Sequence, residues 1–289
     1  MRSAIFVPAP DYPEDFDWAY EVEAAVLLGA GFSVEARSWN DAGDLGGFDL
    51  VMPLVAWGYH VDPPRWHALL DRLERNRIPV LNPVPLLRWN SDKRYLAELG
   101  AKGVATIPTR LVERLDEAAL AEARMEFGKE LVIKPPVSAA ADGTHRLGPA
   151  DPIPDDAVGR EMLVQPFLRS VADEGEYSIL LFGGEYSHAI VKRPKAGDYR
   201  VQPHLGGTEV ACEAPSGAIE LAKAALAAAP AEAAYARVDM VRDNDGRLAI
   251  IELELIEPSL WLQHAPDGGA SFVSALRAAL PQKQPLPDR

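Results

Sequence analysis

Two apolar segments near the C-terminus, joined by a turn signal, put acid in one place. Tyr235-Ala236-Arg237-Val238-Asp239-Met240-Val241 and Leu248-Ala249-Ile250-Ile251-Glu252-Leu253-Glu254-Leu255 both read as strands, with Asp243-Asn244-Asp245-Gly246 between them. Asp-Gly is a strong hairpin signal. A two-residue turn at Asp245-Gly246 pairs Asp239 with Glu252 and Arg237 with Glu254. Strand side chains alternate faces, so Glu252 and Glu254 project with Asp239. Val238, Met240, Ala249, Ile251, Leu253 and Leu255 then form the opposite, core face. Like charges opposed on a sheet destabilise it. Three carboxylates on one face therefore ask for a cation, and hard oxygen ligands suit Mg²⁺. The same pattern also serves as the solvated face of an edge hairpin, and a loop of odd length changes the pairing.

The chain has 289 residues, enough for two or three lobes with cores of their own. Its formal charge is −14 without a long basic run, which argues against a nucleic-acid partner, whose footprint is a basic stripe. A nucleotide needs only a few local cations and stays open. Cys212 is the single cysteine, so no internal disulfide can form, which fits a reducing compartment. The apolar run in the first ten residues is broken by Pro8 and Pro10 and is too short for a signal h-region. No stretch approaches the roughly 20 apolar residues of a membrane span. A soluble, cytoplasmic protein with no membrane partner is the expectation.

Residues 1–89 alternate strand and helix. Ala4–Val7, Phe32–Arg37, Asp49–Val55 and Ile78–Leu81 read as strands, Asp17–Leu28 and Pro64–Asn76 as helices, and Asn82–Trp89 as a Pro-rich connection. Such alternation predicts a parallel sheet covered by helices, with ligands at the carboxyl ends of its strands. The loop Ala56-Trp57-Gly58-Tyr59-His60 falls at one such end. It reads equally as an aromatic-rich surface loop or as a weak substrate contact through Trp57, Tyr59 and His60. Beyond residue 89 the pattern turns to mixed α+β, with strands at Glu130–Lys134, Met162–Phe167, Tyr177–Phe182 and Tyr186–Lys192, an Ala-rich helix at Ala218–Ala229 and a last helix at Ala270–Leu280. Residues 281–289 read as a tail.

No G-x-x-x-x-G-K-[ST] or G-x-G-x-x-G occurs, so a nucleotide site has to be built another way. The six histidines lack zinc-type spacing. A different series of signals runs through the second half. Asn90-Ser91-Asp92-Lys93 opens a helix. Leu131-Val132-Ile133-Lys134-Pro135 is an apolar strand ending in lysine, and the small-residue loop Ser138-Ala139-Ala140-Ala141-Asp142-Gly143-Thr144 follows it. Then come Gln165-Pro166-Phe167-Leu168, Gly175-Glu176-Tyr177, Val191-Lys192-Arg193 and Asp198-Tyr199-Arg200-Val201, before the acidic hairpin.

In order and spacing this series resembles the ATP-grasp superfamily, most closely its glutathione-synthetase-like branch, and it is also similar to the D-cycloserine-forming ligases. The resemblance runs from about Asn90 to the end. It implies an α/β N-terminal lobe over residues 1–89, followed by an α+β ATP-grasp fold over 90–280 with a lid subdomain at about 105–167. It implies ATP and Mg²⁺ as cofactors, ATP lying between two subdomains. Residue by residue, Lys93 and Lys134 match lysines that hold phosphates. Ser138 to Thr144, Gly143 included, match the phosphate-covering loop, glycine-poor for the family. Gln165, Phe167 and Leu168 match the hinge that reads adenine, with Phe167 expected in the core, and Glu176 matches the acid on the ribose. Arg200, with Lys192 or Arg193, matches the cations that stabilise the transferring phosphoryl group. Asp239, Glu252 and Glu254 match the metal ligands. Gly206, Gly207 and Ser259 match positions near substrate.

The implied reaction is ATP-dependent ligation of a small-molecule carboxylate to an amine through an acyl phosphate. Intramolecular cyclisation of an amino-acid derivative, phosphorylation of a small alcohol and a non-catalytic nucleotide-binding relative stay open beside it. Association into a homo-oligomer, common among relatives, is compatible with the resemblance.

Overall fold

The computed structural model describes residues 1–195, 201 and 206–280. The chain opens with β1 (Arg2–Val7), α1 (Asp17–Gly29), β2 (Ser33–Ser38), β3 (Leu50–Met52), α2 (Pro63–Arg75) and α3 (Val84–Asn90). The strands form a parallel sheet in the order β2-β1-β3. Alternation along β1 splits its side chains between two cores, Ile5 joining α1 through Leu27 and Phe6 joining α2 through Trp66 and Leu70. α1 ends where Gly31 adopts φ +84° and the Phe32 N–H turns back to the Leu27 carbonyl, a left-handed exit that glycine takes without strain.

Two expectations for this lobe need correction. Ile78–Leu81 makes only an isolated parallel bridge, Val51 to Val80. The Pro-rich connection is the helix α3. Its prolines stand at the cap and in the first turn, where a missing N–H breaks no helical bond.

Next come α4 (Tyr95–Ala101), β4 (Arg110–Val112), α5 (Glu117–Phe127), β5 (Leu131–Lys134), β6 (His145–Leu147) and β7 (Met162–Pro166). β4, β5, β6 and β7 make an antiparallel sheet in the order β4-β7-β5-β6. α5 covers it with Leu120 and Ala123 against Leu131, Ile133 and Val164. β4 and β6 are only three residues long, and the alanine-rich α5 shows no clear apolar stripe, so none of the three was foreseen. Burial against the neighbouring strands, rather than periodicity, makes them elements.

The remainder supplies α6 (Ser170–Asp173), β8 (Glu176–Phe182), β9 (Glu185–Arg193), β10 (Thr208–Cys212), α7 (Ala218–Ala228), β11 (Tyr235–Arg242), β12 (Leu248–Glu254) and α8 (Ala270–Ala279). Its five strands form an antiparallel sheet in the order β10-β9-β8-β11-β12. One face packs on α7 through Ala218, Ala222 and Ala225, whose spacing leaves a flat stripe. The other packs Leu180, Phe182, Ile190 and Tyr235 against α8 and the N-terminal lobe. No helix among the described residues is long and apolar enough to cross a membrane.

Candidate active site

The β11–β12 hairpin pairs Arg237 with Glu254 and Asp239 with Glu252, as the sequence suggested, but by another route. Asp243 and Arg247 close the loop: the Asp243 N–H donates to the Arg247 carbonyl at 2.8 Å. Three residues, Asn244, Asp245 and Gly246, therefore make the turn, with Gly246 at φ +82°. That is the common three-residue hairpin with a left-handed glycine. Alone it would oppose Asp239 to residue 251. A bulge in β12 between Ile250 and Glu252 restores the register. The predicted core face changes in consequence. Ile250 lies with Val238, Met240 and Leu253, whereas Ala249 and Ile251 turn to the other side with Val241 and Leu168.

These acids open on a cavity of about 670 Å³ between the four-stranded and five-stranded sheets, closed at one end by the Trp57–His60 loop. The volume lies within the roughly 300–1,000 Å³ typical of small-molecule sites. One wall is apolar: Val132 of β5, Leu168 beyond β7, Val201 and Ile251. The other wall is charged. Asp239, Glu252 and Glu254 each bring an oxygen within 4.8 Å of the others. Lys192 Nζ lies 2.9 Å from Asp239 Oδ2 and 2.5 Å from Glu176 Oε1. Arg237 bridges Asp239, at 3.0 Å, and Glu254, and Ser178 Oγ donates to Asp239 Oδ1 at 2.6 Å. Lys93 Nζ pairs with Glu252 Oε1 at 2.8 Å and donates to the Ser138 carbonyl.

The charges tune one another. Burial opposes ionisation of Asp239, but Arg237 and Lys192 outweigh it and hold its carboxyl well below the usual range. Burial likewise works against the Lys192 charge, and Asp239 and Glu176 overcome it. Glu254 has less help: burial, opposed by Arg237 and reinforced by Glu252 and Asp239, carries it up to about 7. Lys134, at the end of β5, is the odd member. It is buried, has no ion pair among the described residues, and burial lowers it to about 8. A buried lysine without an anion wants one.

This donor set fits a nucleotide with its metal. Three carboxylate oxygens suit a hard divalent cation, Lys93, Lys134 and Lys192 suit phosphates, and the apolar wall suits a base.

Of the residues singled out in the sequence, Trp57, Tyr59, His60, Lys93, Lys134, Ser138, Thr144, Gln165, Phe167, Leu168, Glu176, Lys192, Asp239, Glu252, Glu254 and Ser259 all line the cavity. Gly143, Arg193, Gly206 and Gly207 do not. Arg193 is exposed and next to Lys192 in β9, so strand alternation turns one of the two cations inward and the other out. Gly143 packs on Pro135, where a Cβ would come within 2.9 Å of the proline ring. Arg200 lies outside the described residues. Phe167 is not core but half-buried, its ring 3.8 Å under the Arg146 guanidinium. Its N–H donates to the Glu130 carbonyl and its carbonyl accepts from Asn244.

Sequence reasoning missed Arg237, Glu257 and Tyr12 as site residues. Arg237 was findable, since two-residue spacing places it on the Asp239 face. Tyr12 and Glu257 sit in loops, where no periodicity marks direction.

Comparison with known proteins places this architecture. The family model of the D-cycloserine synthetase DcsG N-terminal domain matches residues 5–82. The cycloserine biosynthesis protein DcsG of Streptomyces lavendulae is 32% identical over 96% of this chain and 98% of its own length. A glutathione synthetase of Prochlorococcus marinus is 32% identical over 60% of the chain and 58% of that protein. Among solved structures, D-cycloserine synthetase DcsG superposes with a TM-score of 0.82 at 29% identity, covering 97% of this chain and 100% of that one. D-alanine–D-alanine ligase from Bacillus anthracis superposes with a TM-score of 0.71 at 16% identity, over 96% and 97% of the two chains. The fold is thus that of the ATP-grasp superfamily. Within it, this chain belongs to the D-cycloserine synthetase family and is a C–N bond-forming ligase.

Proposed function

We propose that this protein uses ATP and Mg²⁺ to activate the carboxylate of a small amino-acid derivative as an acyl phosphate, on which a nitrogen then closes an amide-type bond. The observation that carries the reading is the meeting of Asp239, Glu252 and Glu254 with Lys93, Lys134, Lys192 and Arg237 in one cavity. Catalysis of phosphoryl transfer is mostly positioning and charge neutralisation, which is what such a set supplies.

Asp239, Glu252 and Glu254 would hold the metal, which when bound neutralises phosphate charge. Lys134, free of any ion pair among the described residues, takes a phosphate oxygen. Lys93 ties the Ser138 carbonyl to Glu252 and so sets the start of the covering loop against the metal ligands. A carboxylate oxygen of the substrate attacks the γ-phosphorus and the bond to the β-phosphate oxygen breaks, releasing ADP. The nitrogen attacks the acyl carbon, loses a proton, and inorganic phosphate leaves. Arg237, already paired with Asp239 and Glu254, is placed to steady negative charge on the reacting oxygens. By the resemblance alone, Arg200 adds a second cation.

The end-to-end likeness to a cycloserine biosynthesis protein favours a nitrogen from the same molecule. Cycloserine is a ring closed between a carboxyl carbon and a nitrogen, so such a reaction is intramolecular. Substrate labelled with ¹⁸O in its carboxylate tests the chemistry. The expected result is one label in the released phosphate for each product formed. Label retained entirely in product and residual substrate sinks the acyl-phosphate reading, and a labelled phosphomonoester would mark a kinase.

A further inference from the structure

Beyond β12 the chain passes Leu260 and Trp261 into a short 3₁₀ turn, Leu262–His264. Trp261 holds φ +43° and ψ 45°. That is the left-handed region, which glycine enters freely and a bulky residue enters only under constraint. Residues of this kind persist where their neighbours over-determine them, and three contacts do so here. His188, buried in β9, donates from Nε2 to the Leu260 carbonyl at 3.0 Å, which leaves Nδ1 to accept from Ser187 Oγ at 2.9 Å. The His264 N–H donates to the Trp261 carbonyl at 2.8 Å. The indole Nε1–H donates to Glu209 Oε2 of β10, also at 2.8 Å. Glycine would sit at this position without strain, so the ring is what the site gains from Trp261.

The ring is buried, lines the cavity and lies under the Arg237 guanidinium, whose Cζ is 5.2 Å from the ring centroid. A guanidinium over an indole is attracted by the ring quadrupole, more strongly away from water. The other contacts of Arg237 are along its edge. Nε and Nη2 donate to Asp239, and Nη2 also pairs with Glu254. A ring holds the guanidinium by its face and takes no N–H, whereas a further carboxylate would take one. Among the described residues Nη1 accordingly makes no hydrogen bond, and Arg237 itself lines the cavity. The Glu209 carboxylate strengthens the hold, because an anion at Nε1–H pushes electron density into the ring.

We propose that Trp261 is a positioning residue for the ligation: its ring face, polarised by Glu209, holds the Arg237 guanidinium so that Nη1 is free to meet negative charge on the reacting oxygens. This assignment rests on the acyl-phosphate reading, in which Arg237 steadies that charge.

The test needs no turnover. Wild type and variants are titrated by calorimetry with Mg²⁺-ADP, alone and with aluminium fluoride, a mimic of the phosphoryl group in flight. Wild type should bind ADP more tightly when aluminium fluoride is present. Trp261→Phe keeps a ring but no N–H for Glu209, and should cut that gain by about threefold. Trp261→Leu keeps no ring, and should cut it by about 5- to 30-fold. Affinity for Mg²⁺-ADP alone should stay within about twofold in both, which also shows that they are folded. Glu209→Gln keeps an acceptor without the charge and should resemble Trp261→Phe. Arg237→Lys keeps a charge beside Asp239 and Glu254 but has no planar face to lay on the ring. In that background Trp261→Leu should cost less than about twofold, the coupling expected of a residue that acts through Arg237.

Equal losses from Trp261→Leu in both backgrounds mean that the ring serves the core alone, and overturn the proposal. So does a loss of Mg²⁺-ADP affinity as large as the loss seen with aluminium fluoride. A wild type that binds Mg²⁺-ADP but gains nothing from aluminium fluoride overturns it too, since Arg237 then has no such charge to steady. A folded wild type that binds no Mg²⁺-ADP is a different failure: it removes the ligase reading itself, and with it the reaction that Trp261 serves.

Discussion

Lys134 and Glu254 face the same cavity with opposite needs. Lys134, lowered to about 8 by burial, serves a phosphate only while protonated. Glu254, raised to about 7 by burial and its acidic neighbours, serves a metal only when ionised. The signs follow directly. Affinity for Mg²⁺-nucleotide should rise as pH passes upward through 7, when Glu254 loses its proton, because metal binding competes with protons. It should fall as pH passes upward through 8, when Lys134 loses its charge. Calorimetry from about pH 6 to about pH 9.5 is expected to give a bell. Lys134→Arg should flatten the alkaline limb, because a guanidinium stays charged there. A flat profile in wild type would show that neither group titrates in this range. Lys134 could be found in the sequence because charge ending an apolar strand is conspicuous. Glu257 could not, because it lies in the loop beyond β12, where no periodicity marks direction.

At the level of elements, α1 carries a buried acid with an unsatisfied oxygen. Glu23 lies on its buried face among Ala19, Ala24 and Leu27, and its Oε2 has no hydrogen-bond partner among the described residues. Burial raises it well above the ordinary carboxylate value. A raised acid gives stability in full below the unfolded value, about 4.3, and loses it as pH climbs toward the folded value, because the unfolded chain ionises first. Glu23→Gln cannot ionise and keeps the shape. In urea unfolding it should match wild type near pH 3 and gain about 1–3 kcal/mol on it near pH 8. An unchanged difference between the two pH values would mean that Glu23 finds a counter-ion in solution.

The hairpin shows how far elements could be read from sequence. Alternation placed Asp239, Glu252 and Glu254 together, and they are together. The route was misjudged because a three-residue loop and a bulge offset each other. A bulge costs one unpaired residue, and nothing in the local sequence announces it. Ile250 and Ile251 are the same residue type, so hydrophobicity gives no hint of which faces the core. β4, α5 and β6 escaped for a related reason: their order comes from neighbours distant in sequence.

Across the whole molecule, the strand that carries two of the three metal-binding candidates is an edge strand, and side chains seal it. β12 pairs with β11 on one side only. On the other side, the Tyr95 hydroxyl donates to the Leu253 carbonyl at 3.0 Å and accepts from the Leu253 N–H at 2.9 Å. Asn90 donates to the Leu253 carbonyl and accepts from the Leu255 N–H. Asn82 donates to the carbonyls of Tyr235 and Leu255. Backbone at residues 105 and 107 satisfies Ile250. The segment joining the N-terminal lobe to the rest thus stands in for a missing strand, and it fixes where Glu252 and Glu254 point. Buried backbone groups left unpaired cost about 1–3 kcal/mol each. Tyr95→Phe removes the hydroxyl alone, so it should lower stability to urea by about that amount. It should also weaken Mg²⁺-dependent nucleotide binding, although Tyr95 itself contributes no carboxylate. Glu98→Gln is the control: it alters an exposed hydrogen bond from Trp89 on the same segment, 2.7 Å long, and should change neither property. If Tyr95→Phe loses stability while Mg²⁺ dependence stays intact, the seal holds the lobes together without setting the metal ligands.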